Sequence, residues 1–383
     1  MPRREKVQEF KRKTEAMTIE DIALQMTPGI GVKGAVHLLE CFGTAERVFQ
    51  ASEAELTEQA ELRPDPARQI VRRTGFAAAE REIRHCCKHD IKAIASTDAD
   101  YPALLREIPD YPHVIYVKGD PQSLSARTLS VVGTRDMTPY GQNMCHKLIE
   151  RLADRVPHLA VVSGLAFGID ATAHRAALAC RVPTVAVLPC PLPDIMPAQH
   201  TALARDILDH GGALVTELHS QTRQNGTAYT ARNRIIAALS RGCLVVESPD
   251  NGGSLLTARF ADGYNRTVMA LPGRATDRSA AGTNHLIRHR KAQLVLSAED
   301  IIVEMGWDLE AEPATLRPAP AQAPALTADE AELTACFSSD DPLSLDRLQE
   351  ATGFDTGRLT ASLLALELAG VVRQIAGNRY MKL

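Results

Sequence analysis

Between residues 128 and 303, short runs rich in Val, Ile and Leu alternate with amphipathic stretches, and this alternation constrains the fold more than any other feature of the chain. TLSVVG, LAVVSG, PTVAVLPC, ALVTEL, CLVVES and TVMALPG read as strands. TPYGQNMCHKLIERLAD, GIDATAHRAALAC, HTALARDILDHG, TARNRIIAALSRG and SLLTARFADGYN read as the helices between them. A strand that is apolar on both faces must be covered on both faces. Helices that connect such strands one after another cover them when the strands run parallel. The expected class is therefore α/β, a Rossmann-like, doubly wound, mostly parallel sheet. YPALLREIPDYPHVIYVKGD, just upstream, reads as a lead-in packed on that sheet.

The flanks read differently. Residues 1–80 form an all-helical domain in which PGIG makes a tight turn between two apolar-periodic segments. PGIGVKGAVHLL has the form of a helix-hairpin-helix, a phosphate-binding turn, with Lys33 and His37 nearby; a plain helical hairpin in a small protein-contact domain is the preferred reading. Residues 81–309 make the extended Rossmann domain. Residues 310–326 are rich in Ala and Pro and read as a semi-extended linker. In 327–383, EAELTACF, SLDRLQEATG and TGRLTASLLALELAG are helical, and VVRQIAGNRYMKL reads as a hairpin turning at Gly377–Asn378. Three helices and a hairpin make a winged helix. Its recognition helix offers Arg358 and then mostly Leu and Ala, too few polar groups for a duplex reader, so a protein-contact module is expected.

In a doubly wound sheet, ligands bind at the carboxyl ends of the strands, near the switch in strand order. The strand ends here carry GTRDMTPYG (133–141), SGLAFGID (163–170), TARNR (230–234), PDNGGSLLTA (249–258) and LPG (271–273). Glycine lets backbone amides approach an anion, helix amino termini add partial positive charge, and arginine offers a fork that matches phosphate oxygens. Several such tips in a row suit a string of phosphates. Each also has a plain structural reading. Thr138 can simply cap a helix. Asp170 and His174, one turn apart, can be an acid–base pair or a structural hydrogen bond, and the structural reading is preferred. Arg232-Asn233-Arg234 opens a helix at a strand tip, which favours a site role over surface charge. Tyr229 fits either the core or a stacking platform for an exposed base.

Several chemistries lack their signatures. Arg135 stands where GxGxxG needs its second glycine and would collide with a dinucleotide pyrophosphate; GxxxxGK[ST], HExxH, a nucleophile elbow and paired-carboxylate motifs do not occur. No nucleotide cofactor or metal is therefore expected. The net charge of −4 argues against a protein coated in positive charge for duplex binding, though not against a local basic cleft. The eight cysteines include no CxxC, the amino terminus is charged, and no apolar run has membrane-spanning length. A soluble, reduced, cytoplasmic protein is expected.

At the strand tips the sequence resembles the DNA-processing protein A (DprA/Smf) family. VVGTRDMTPYG, VVSGLAFGIDATAHRAAL, GALVTE, YTARNRIIAALSRG, VVESPDNGGSLLTARFA, ALPG and GTNHLI carry the resemblance, in the family's order. The family's layout is a helical sterile-alpha-motif-like domain, an extended Rossmann domain and a winged helix. The resemblance implies a homodimer that binds single-stranded DNA, protects incoming strands in natural transformation and loads the recombinase RecA, without catalysis or cofactor. Carried over by motif, Gly133, Thr134 and Arg135 hold a backbone phosphate, and Ser163 and Gly164 line the next tip. Tyr229, Arg232 and Asn233 form the base-stacking and phosphate edge, and Gly253 and Ser254 close the cleft. The segment around Asn284, Leu286 and Ile287 matches the self-association face, beside the RecA contact.

The chain departs from the family pattern in three places. HSQTRQNGTAY lacks the lysine that often precedes the aromatic, Arg223 being the nearest cation; PCPLPDIMPAQH lacks a second lysine; and LIRHRKAQLV replaces the usual LI-x-x-GA run. Two other classes of function remain in view. One is a Rossmann-type enzyme acting on a nucleotide or nucleotide sugar, for which Asp170 and His174 are the motive. The other is a structural adaptor whose terminal domains contact proteins.

Overall fold

The computed structural model describes residues 17–222, 226–307, 327–337, 342–375 and 379–382. Two of the expected features, the 310–326 linker and the Gly377–Asn378 turn, lie outside the described residues, as does Arg223. The chain divides into two units, Met1–Ala311 and Glu312–Leu383.

The first unit is organised by a nine-stranded sheet of order β1-β2-β6-β5-β4-β3-β7-β8-β9. Its centre is the parallel sheet that the alternation predicts: β3 (Arg127–Val132), β4 (Leu159–Ser163), β5 (Thr184–Val187), β6 (Ala213–Thr216), β7 (Gly242–Val245) and β8 (Thr267–Ala270). Nearly every residue of these strands is buried, as parallel strands covered on both faces must be. The chain runs outward from β3 to β6, then crosses back to place β7 on the other side of β3. That reversal puts the switch point between the ends of β3 and β7. The main helices are α8 (Pro139–Arg155) after β3, α9 (Ile169–Ala179) after β4, α10 (Thr201–Asp209) after β5, α11 (Ala228–Ala238) after β6 and α12 (Ser254–Gly263) after β7.

The lead-in does more than pack on the sheet. β1 (Lys92–Ala95) and β2 (Val114–Gly119), with the short helix α7 (Ala103–Arg106) between them, join its edge; β2 pairs antiparallel with β6. Val114, Ile115, Tyr116 and Val117 are all buried, so VIYV needs cover on both faces, and a place within the sheet provides it. At the opposite edge, β9 (Gln293–Leu294) pairs with β8 and is followed by α14 (Ala298–Glu304).

Among the described residues six helices precede the sheet: α1 (Ile19–Gln25), α2 (Val32–Phe42), α3 (Ala45–Gln50), α4 (Glu53–Glu58), α5 (Pro64–Val71) and α6 (Phe76–His89). PGIG turns α1 into α2, with Gly29 at φ +84° and Gly31 capping α2. The expected boundary at residue 80 falls inside α6. Ala79, Glu82 and Cys86 of that helix face inward, and Ile22, Leu38, Val48 and Leu56 share one hydrophobic cluster with Tyr116, Leu188 and Leu214 of the sheet. A buried chain also joins the two parts: Ser96 Oγ meets His113 Nδ1 at 2.9 Å, and His113 Nε2 meets Asp21 Oδ1 at 3.0 Å. It has the connectivity of a hydrolase triad, but all three residues are buried and hold α1 to β2.

In the second unit, α15 (Ala328–Cys336), α16 (Leu345–Thr352) and α17 (Thr356–Leu368) pack with strands ordered β10 (Leu343–Ser344), β12 (Arg379–Lys382), β11 (Val372–Ile375). Leu333, Leu348, Leu359, Leu363, Val372 and Tyr380 make its core. This is a winged helix. Arg358 is engaged within the unit: Nε and Nη2 donate to the two carboxylate oxygens of Asp329, and Cζ lies 4.0 Å from the Phe354 ring centroid.

Candidate nucleic-acid interface

At the switch point, three strand tips touch. Thr134 N donates to Glu247 O at 2.7 Å, and Ile169 N donates to Thr134 O at 3.1 Å. Backbone approaches this close leave no space for side chains. A Cβ on Gly133 would lie 2.5 Å from Ile169 Cγ1 and 2.9 Å from Glu247 O. One on Gly168, whose φ is +74°, would lie 2.2 Å from Thr134 O. The tip of β3 then enters α8 through Thr138, whose Oγ1 accepts from Gly141 N at 3.2 Å. Thr138 N itself donates to Glu247 Oε2 at 2.9 Å. Glu247 is 3% exposed, a buried carboxylate under the positive end of α8. Sequence reasoning assigned it nothing. The available signal was an acid placed directly after an apolar strand in VVESPDNGG.

Arg135 is exposed on this rim, and its Cζ lies 5.6 Å from the ring centroid of Tyr229 in the first turn of α11. Two residues predicted for one cleft from distant parts of the sequence thus form a cation–π pair. Tyr229 is half-buried, which leaves part of its ring accessible.

Arg232 points the other way, into the protein. It is 5% exposed; its Nη1 donates to Gly164 O and, at 2.7 Å, to Val187 O, while Nε has no partner among the described residues. Gly164 N donates to Asp170 Oδ2 at 3.2 Å. A Cβ on Gly164 would sit 2.0 Å from Arg232 Nη1 and 2.7 Å from Asp170 Oδ2, so the glycine is the spacer that admits both groups. Burial pushes the Asp170 carboxyl above its usual range and the Arg232 guanidinium below its own, and the attraction between them opposes both shifts. Arg232 therefore braces the tips of β4 and β5 from beneath. Arg234, the third residue of the motif, is also buried: Nη2 pairs with Glu217, and Nη1 donates to Asp110 O at 2.8 Å. Asn233, between them, is half-buried.

The remaining predicted residues divide the same way. Ser163 is fully buried and its Oγ donates to Val131 O at 2.6 Å. Ser254 is 7% exposed, with its Oγ donating to Ser248 Oγ at 2.8 Å. Gly253 beside it is exposed, with nothing within 4 Å of a Cβ. Asn284, on α13 (Ala281–Arg288), clamps Gly273: Nδ2 donates to its carbonyl at 3.0 Å, and Oδ1 accepts from its amide at 3.1 Å. Leu286 is 9% exposed and packs in the core, with Ile287 against it.

Asp170 and His174 have different partners. The Thr184 hydroxyl donates to Val161 O at 2.8 Å and lies 2.7 Å from His174 Nδ1. With its proton committed, that hydroxyl accepts from the ring, so Nδ1 carries the hydrogen and Nε2 keeps a buried lone pair with no partner among the described residues. Burial, with the positive charge of nearby groups, pushes this histidine down to about 3. It is a structural hydrogen bond, as preferred from the sequence. Among the described residues no helix is long and apolar enough to cross a membrane.

A model of the DNA recombination-mediator protein A family matches residues 92–306, and one of the DprA winged helix domain matches residues 317–378. Protein Smf of Escherichia coli is 35% identical over 289 residues, which span 74% of this chain and 75% of that protein. Protein Smf of Synechocystis is 32% identical over 317 residues, 74% of this chain and 78% of its own. Among solved structures, DprA from Streptococcus pneumoniae is similar with a TM-score of 0.65 at 29% identity, over 75% of this chain and 98% of its own. DprA from Helicobacter pylori, described for its single-stranded DNA binding mode, gives a TM-score of 0.51 at 26% identity, over 57% of this chain and 96% of its own. Because the family model covers more than half of the chain, and the E. coli relative is similar across three-quarters of its length, the chain belongs to the DNA recombination-mediator protein A family.

Proposed function

We infer that this protein is a non-catalytic recombination mediator that binds single-stranded DNA along the switch-point rim, protects the strand and presents it to RecA. The observation that carries this reading is the exposed Arg135 guanidinium set over Tyr229. A cation for phosphate beside an aromatic face for a base is what an unpaired strand offers groups to meet, and a duplex, with its bases stacked inside, does not. Gly253 supplies open backbone at the same tips, and Gly133, Thr134, Ser163, Gly164, Arg232 and Ser254 hold those tips in place. The H. pylori relative is described as a single-stranded DNA binder, which supports the reading. The burial of Asp170 and His174, each bonded to a different group, favours binding over catalysis.

The protein acts as a homodimer in this reading, joined at the β9 edge. Leu294 and Leu296 are 48% and 60% exposed there, beside α13 with Asn284 and Ile287. An edge strand with apolar side chains in solvent is a ready pairing surface. The test is a fluorescence-anisotropy series with labelled oligothymidine and with duplex of equal length, at several salt concentrations, with and without RecA. Salt-sensitive binding to the single strand, weaker binding to duplex and faster RecA assembly on bound strands are expected. Equal affinity for both DNA forms would reject the reading.

A further inference from the structure

The loop between β4 and α9 carries one large side chain that its surroundings leave uncovered. Phe167 is 43% exposed, while the backbone on either side of it is held residue by residue. Gly164 is fixed by Arg232 and Asp170. Leu165 is fully buried at φ +57°, a conformation that a non-glycine residue keeps only when its surroundings enforce it, and its carbonyl lies 2.7 Å from His200 Nδ1. Ala166 O accepts from Ala171 N at 3.1 Å. Gly168 is wedged against the carbonyls of Thr134 and Arg135.

The Phe167 ring lies against the ring of His200, with centroids 4.7 Å apart and the planes tilted by 59°, and His200 is itself 5% exposed. A lone exposed apolar residue ordinarily needs no explanation. This one stands on a rigid tip, one residue from the glycine that packs against the backbone carbonyls of Thr134 and Arg135.

We propose that Phe167 is a second base-stacking platform, taking the nucleobase next to the phosphate that Arg135 holds. The inference rests on the single-strand reading above and adds to it a contact made through the π face of an unpaired base. A ring on a pre-ordered tip loses little freedom on binding, so most of its stacking counts toward affinity.

The experiment compares the parent, Phe167→Ala, Phe167→Trp and Arg135→Ala in anisotropy titrations with labelled oligothymidine and with an abasic strand of the same length. Phe167→Ala should weaken oligothymidine binding about tenfold, the scale of one stacked base, and leave abasic-strand binding unchanged. Phe167→Trp should bind like the parent, with new emission that is quenched on adding oligothymidine; the chain's single native tryptophan, Trp307, is buried in the core and serves as the unquenched reference. If Arg135→Ala weakens binding and Phe167→Ala does not, the stacking inference fails and the cleft reading stands. If neither variant weakens binding, both fail. An equal loss on the abasic strand, or a loss of self-association with DNA binding intact, also overturns the stacking role.

Discussion

Arg232 Nη1 donates to the carbonyl of Gly164, tying α11 to the tip of β4 across 68 positions of sequence. The bond turns a residue that resembles a phosphate ligand into a brace under the tips of β4 and β5. It also gives the two arginines of the cleft different roles, with Arg135 facing solvent and Arg232 facing backbone.

That division predicts opposite phenotypes. Arg232→Ala should lower unfolding stability by about 2–4 kcal/mol, because it leaves buried carbonyls and the Asp170 carboxylate without their partner. Arg135→Ala should change stability by less than about 0.5 kcal/mol, as an exposed substitution does. Urea titrations of both variants measure the difference; equal stability losses would contradict the assigned orientations.

For DNA the order reverses. Arg135→Ala should cost about 1–3 kcal/mol of single-strand affinity and reduce the salt slope by about one, the signature of one lost phosphate contact. Anisotropy titrations at several salt concentrations read both quantities, and an unchanged slope would remove Arg135 from the phosphate path.

The closeness of the tips makes two glycines unequal. Gly168→Ala puts a Cβ at φ +74° against the Thr134 carbonyl and should cost at least about 1–3 kcal/mol. Gly253→Ala meets open space and should stay within about 0.5 kcal/mol. Thermal unfolding of the two variants side by side tests this.

His174 makes stability depend on pH. Its folded-state value, about 3, lies below its ordinary 6.5, so the unfolded chain takes up the proton first as pH falls. The stabilisation is fully present above pH 6.5 and is lost progressively toward pH 3, roughly 2 kcal/mol of it by pH 5. His219, pushed down by burial, adds a contribution of the same sign. Denaturant unfolding from pH 7.5 to 5 should show this slope, and His174→Gln should flatten it.

The proposed dimer edge predicts a further contrast. Leu296→Lys should shift the protein toward monomer in light scattering while preserving the fold, since that side chain is 60% exposed. Leu286→Ala should instead lower thermal stability, since Leu286 belongs to the core.

The alternation of apolar strands and amphipathic helices determined the parallel sheet, because strands buried on both faces have few other ways to be covered. The glycine-rich segments at the strand ends likewise marked where the strand tips meet, because their residue types answer to local backbone geometry. The succession of three helical patterns and a hairpin in the carboxyl-terminal segment marked the winged helix in the same way. Tertiary structure alone decided that β2 joins the sheet, that Arg232 turns inward, that Glu247 lies under α8, and that Ser96, His113 and Asp21 are sealed between the helices and the sheet. It also decided that Phe167 stands in solvent among buried neighbours. Burial and hydrogen-bond partners are set by segments far apart in the chain, and a side chain's own type does not say which of those segments will arrive beside it.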